Sequence, residues 1–171
     1  MSIDYASSVE RPFANPIARF TLALFGFVPA SLALLVLRLT LAMPFYKSGL
    51  TRWDGWFNLS FGTKALFSDE YRLHVFGQEI PFPQPELVAT MASTAEIVLP
   101  ILLAFGFLTR YAALGLLCMT AVIQLTYPDG WQNFHLPWAT MALAIMAFGP
   151  GAVSIDRLLG LDGAPPRRAP A

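Results

Sequence analysis

Two side chains of opposite charge, Arg38 and Glu96, stand inside otherwise apolar stretches of this 171-residue chain. A charge in such a place needs a partner or a wet cavity, and buried ionisable groups of this kind often mark ion or ligand pathways. With Pro29 as the start of the first stretch, Arg38 lies about 13 Å along a helix rising 1.5 Å per residue. The stretch holding Glu96 runs back from Pro85, which sets Glu96 at about 14 Å from the same face of a hydrocarbon layer about 30 Å thick. Matching depth predicts an Arg38–Glu96 ion pair. Two readings of it stay open: a contact that fixes helix register, or a proton or ligand site.

The neighbourhood of Glu96 agrees with close helix approach. Ala89, Ala92, Ser93 and Glu96 fall on one helical face, and small residues let backbones come near one another. Pro100 leaves the carbonyl of Glu96 without its helical donor, as Pro44 does for Thr40. A second polar group is expected at the other end of the elements: Lys47, Glu86, Trp131 and His135 form a candidate outer pocket, or else interfacial anchors. Gln124 reads as a hydrogen-bond partner between helices.

Chemistry of other kinds is not indicated. Two histidines, His74 and His135, and one cysteine, Cys118, do not supply a metal set, and a lone cysteine excludes an internal disulfide. Cys118 reads as a small packing residue. No phosphate-binding or nucleophile-elbow motif occurs, so no catalytic residue is assigned and an autonomous enzyme is disfavoured. A quinone or other carrier remains compatible, since it needs no protein-derived metal ligands. Zero net charge gives no reason to expect a nucleic-acid partner.

The elements that must position these residues are apolar helices. The chain is 56% hydrophobic and 13% charged, well below the roughly 25% charged of a soluble domain. Apolar runs at about Pro29–Leu50, Pro85–Phe107, Arg110–Tyr127 and Phe134–Phe148 predict an all-α membrane protein with a bundle of four transmembrane helices. Gly106 reads as a helix stop and Thr109 as the next N-cap, giving a tight helical hairpin. Gly149-Pro150-Gly151 ends the fourth run, and Ser154 caps a short helix through Asp156, Arg157 and Leu158. Residues 1–28 are expected to be a tail with an interfacial helix over about Pro16–Phe27. Residues 29–160 form the membrane domain, and residues 161–171 a disordered tail.

The long connection Thr51–Gln84 carries Trp53, Trp56 and Phe57, suited to an interfacial belt, and a short hairpin about Gly77. It is expected to form an extracytoplasmic cap. Basic residues concentrate on the side of the termini, which the positive-inside rule places in the cytoplasm.

Three ordered sequence blocks resemble the DoxX family. They are Leu37-Arg38-Leu39 with Tyr46 to Arg52, Thr94-Ala95-Glu96 with Leu103 to Arg110, and Gly149 to Arg157. The similarity covers about Ser31 to Gly160. Leu66 to Tyr71 with Pro81 to Leu87 is similar to a branch encoded near peptide-modifying enzymes and metal-stress peptides. The resemblance implies a four-span inner-membrane protein and marks Arg38, Lys47, Glu96 and Thr109-Arg110 as signature positions. Its name comes from a subunit linked to thiosulfate:quinone oxidoreduction, which does not extend an oxidoreductase activity to this chain. The expected role is a non-catalytic accessory subunit binding a membrane or periplasmic partner, or a hydrophobic carrier such as quinone, in a redox or metal-stress system. The alternative is a small proton-coupled transporter or exporter component, with Glu96 carrying the proton.

Overall fold

The structure is a computed structural model that describes Phe20 and residues 29–55 and 57–162. The expected interfacial helix (apart from Phe20), Trp56 and the C-terminal tail from residue 163 lie outside those residues. The chain divides into two compact units, Met1–Ala30 and Ser31–Ala171. The helix bundle and the hairpin lie in the second, save that the first helix of the bundle begins at Ala30.

Helix α1 spans Ala30–Leu50, with Pro44 inside it. After the loop come a short helix α2, Phe61–Ala65, and a π-helical turn, Leu66–Glu70. Strands β1, Arg72–Val75, and β2, Gln78–Pro81, pair antiparallel with Arg72 opposite Pro81 and Val75 opposite Gln78. Their two-residue turn is Phe76-Gly77, both at positive φ (50° and 78°), the backbone that matches the twist of paired strands. The expected hairpin about Gly77 is therefore present.

Helices α3, Pro85–Phe105, and α4, Thr109–Thr126, come next in the chain. Pro128–Gly130 makes a 3-10 turn and Trp131–His135 a second π-helical turn, which leads directly into α5, Leu136–Phe148. Pro137 has no N–H to give, and the turn before it closes with the wider bond from Leu136 N–H to Trp131 C=O. Helix α6, Ile155–Leu158, is the short helix capped by Ser154, whose hydroxyl accepts from Arg157 N–H.

Among the described residues three helices, α1, α3 and α4, are long and apolar enough to cross a membrane. Helix α5 has 13 residues, short of the roughly 17–25 a span needs. All four contribute to one apolar core: Leu41 and Phe45 from α1, Leu103 from α3, Ala112, Ala113 and Leu116 from α4, and Ala142 and Ile145 from α5. Alanines at these contacts let the helices approach closely.

The α3–α4 connection is built as a glycine stop, with one correction. Gly106 takes φ +70°, and Phe107 N–H bonds back to Leu102 C=O, closing the end of α3. Thr109, however, does not cap α4 as expected. It is the first residue of the helix, and the cap comes from across the fold. Asp156 accepts from Leu108 N–H and Thr109 N–H, both at 2.8 Å, and from the Thr109 hydroxyl at 2.6 Å. A carboxylate at a helix N-terminus also meets the positive end of the helix dipole.

Candidate functional site

The predicted Arg38–Glu96 pair does not form. The side chain of Arg38 is fully buried beside the α3–α4 turn and donates to the carbonyl of Val153. A Cβ on Gly106 would lie 1.9 Å from Arg38 Nη1, so only glycine fits against it. Nε and Nη1 of Arg38 have no partner among the described residues. Glu96 lies elsewhere. Gly49, near the other end of α1, is packed against the Glu96 backbone, where an added Cβ would sit 2.9 Å from the carbonyl oxygen. That carbonyl is the one that Pro100 leaves without a helical donor. Eleven residues separate Arg38 from Gly49 along α1, which is about 16 Å.

The partner of Glu96 is Arg52. Its Nε meets Oε2 at 3.1 Å and its Nη2 meets Oε1 at 3.4 Å, a two-point grip on the carboxylate. The two side chains are 16% and 6% exposed. Arg52 stands two residues beyond α1, and its backbone is fixed by the loop that folds back over it. Its carbonyl accepts from Ser60 N–H at 2.9 Å and from the Thr63 hydroxyl at 3.1 Å. Ser60 in turn caps α2. The third guanidinium nitrogen, Nη1, donates to the Tyr71 hydroxyl at 3.3 Å, and Nη2 also reaches the Ser48 hydroxyl at 3.4 Å. Burial disfavours the charged form of Arg52, but hydrogen bonding and attraction to Glu96 outweigh it and hold the guanidinium's pKa above its ordinary value.

These polar groups form one end of a cavity of about 530 Å³. Its other walls are apolar: Pro44 and Phe45 from α1, Val88, Met91, Ala92 and Ala95 from α3, Met119, Val122 and Ile123 from α4, and Trp138 from α5. Phe67 and Phe82 roof the polar end, with Phe67 packed edge-on against Tyr71 at 5.0 Å. Tyr127 packs edge-on against Tyr71 at 5.4 Å. Desolvation and the neighbouring Tyr71 hydroxyl push the Tyr127 phenol above its ordinary 10, so it keeps its proton and can donate. Apolar walls with a few convergent polar groups are the usual make-up of a small-molecule site.

The expected outer pocket is not assembled. Lys47 is exposed on α1. Glu86 is exposed and lies 4.0 Å from Lys64. Trp131 is half exposed, while His135 is buried with Nδ1 2.6 Å from Gln124 Oε1. None of the four lines the cavity. Gln124 does bond between elements as expected. Cys118, expected as a small packing residue, is exposed and borders the cavity. No group of three or more His, Cys, Asp or Glu side chains suited to a metal occurs among the described residues.

Residues 33–129 match the DoxX family profile. The chain belongs to the DoxX family. A Haemophilus influenzae protein described as uncharacterized is 30% identical over 146 residues, covering 77% of this chain and 86% of that protein. No solved structure matches. With three helices long enough to cross a bilayer, this DoxX-family chain is a membrane protein. Of the DoxX-like positions noted in the sequence, Glu96 and Arg52 meet at the cavity. Arg38 and Thr109 meet the C-terminal segment, through Val153 and Asp156, at the other end of the helices.

Proposed function

We propose that this DoxX-family protein is a non-catalytic accessory subunit of the cytoplasmic membrane. It binds a hydrophobic carrier, with quinone the chemical candidate, and serves a redox or metal-stress system together with a membrane or periplasmic partner. The observation that carries the reading is the cavity of about 530 Å³ with apolar walls and a polar end of Arg52, Glu96, Tyr71 and Tyr127. Such a shape accepts a polar head and an apolar body. A fourth span is part of the reading. The π-turn and α5 together run from Trp131 to Phe148 without a break, which is 18 residues and within the spanning range. Four spans put both termini on one side, cytoplasmic by their arginines, with the β-hairpin cap on the other.

The test is copurification in mild detergent, with mass spectrometry of proteins and lipophilic molecules. A stoichiometric carrier retained by the native chain and lost from Ala95→Phe, which fills the cavity, is expected. Protein that is empty in both forms and has no partner contradicts the reading. The runner-up, a proton-coupled transporter component, requires Glu96 to leave Arg52 in each cycle; pH-dependent flux in liposomes would favour it.

A further inference from the structure

Where the cavity opens decides what can reach it. Toward the α3–α4 turn the two helices are shut, with Gly115 so close to Leu99 that an added Cβ would lie 2.8 Å from Leu99 Cδ1. One turn further, residues of both helices are at once exposed and part of the cavity lining: Cys118 and Val122 from α4 and Met91 from α3, the last two 46% and 64% exposed. At the polar end the roof is closed by Phe67, which is buried, packed against Phe82. The gap therefore faces sideways, between two helices long enough to cross the bilayer. Arg52 and Glu96 are the charged residues lining the cavity, and they neutralise each other. The hydroxyls of Tyr71, Tyr127 and Ser48 remain as uncharged hydrogen-bonding groups.

We propose that the cavity is filled from the bilayer through the gap between α3 and α4, by a tailed molecule whose head is uncharged and accepts hydrogen bonds. This rests on reading the cavity as a binding site. A sideways gap lets an apolar tail stay in lipid while the head reaches Arg52, Tyr71 and Tyr127. An anionic phosphate head would compete with Glu96 for Arg52 and leave a buried carboxylate uncompensated. An uncharged carbonyl or hydroxyl head leaves the pair intact.

The experiment uses the full chain in nanodiscs, with decylubiquinone and dioleoylphosphatidylglycerol as probes. Binding is read from quenching of tryptophan fluorescence, with Trp138→Phe identifying the cavity's share. Access is read from the alkylation rate of Cys118 by a membrane-permeant maleimide. Decylubiquinone at about ten times its Kd is expected to slow alkylation about tenfold, as occupancy dictates; the phosphatidylglycerol is expected to leave it unchanged. Met91→Trp and Val122→Trp, both on exposed positions, should slow the onset of quenching, and Val122→Ala should hasten it. Quenching with Cys118 unprotected and unaltered rates in all three variants would overturn the sideways route while leaving the binding site standing. Equal protection by the phosphatidylglycerol would overturn the uncharged head. No quenching by decylubiquinone would overturn the carrier-binding reading itself, and the sideways route with it.

Discussion

Glu96 is held by Arg52 at two points, and both side chains are largely out of contact with solvent. Removing one member of such a pair leaves a buried charge uncompensated, so Arg52→Ala should destabilise the protein by about 3–5 kcal/mol. Thermal unfolding in detergent measures this. A double-mutant cycle between Arg52 and Glu96 should give a large coupling, and one between Arg38 and Glu96 close to none. The sequence indicated that Glu96 needs a cation but not which one. Matching depths favour Arg38 only if Pro29 marks the boundary of the layer. In the fold the Val153 segment packs at the level of Arg38, and the Glu96 level falls at Gly49. Arg52 lies beyond the helix, in a loop whose return is set by non-local bonds from Ser60 and Thr63, which no local pattern reveals. The Tyr127 phenol is open to a second measurement. Its pKa is raised above 10 in the fold, so the folded state keeps a proton that the unfolded chain loses. Stability should therefore decline as pH rises past about 10, and ultraviolet difference titration should show a late phenol step missing from Tyr127→Phe.

Local signals made the elements readable. The turn at Gly77, the stop at Gly106 and the cap at Ser154 all stand where glycine and serine place them. The cap of α4 was not readable, because its acceptor is 47 residues away in sequence. Asp156 binds three donors there, two of them backbone N–H groups at a helix start. Asp156→Ala should cost about 2–4 kcal/mol, given roughly 1.5–3 kcal/mol for hydrogen bonds to a charged group. Gly106→Ala should be at least as damaging, since its φ is +70° and the new Cβ would collide with Arg38. Thermal shifts of the two variants, with Ser154→Ala as a milder cap loss of about 1 kcal/mol, check the order.

For the whole molecule, composition and apolar run length were enough to mark membrane helices, while the fourth run was too short for length alone to decide. Its α-helical part is 13 residues, extended by the turn ahead of Pro137. Topology is open to direct measurement in a Cys118→Ser background. A cysteine at Glu79 in the β-hairpin should react in intact cells with an impermeant maleimide, and one at Leu159 should react only after lysis. The reverse pattern would invert the proposed orientation, and reaction at both in intact cells would contradict an even number of spans.

If the cavity behind Arg52 and Glu96 binds a lipophilic carrier, titration of the protein in nanodiscs with decylubiquinone, followed by tryptophan fluorescence, will register it. The expected result is saturable quenching that loses at least about tenfold in affinity, roughly 1.4 kcal/mol, when Ala95→Phe fills the cavity. Quenching that does not saturate, or is the same in Ala95→Phe, would mean that the quinone only partitions into lipid, and would contradict the claim.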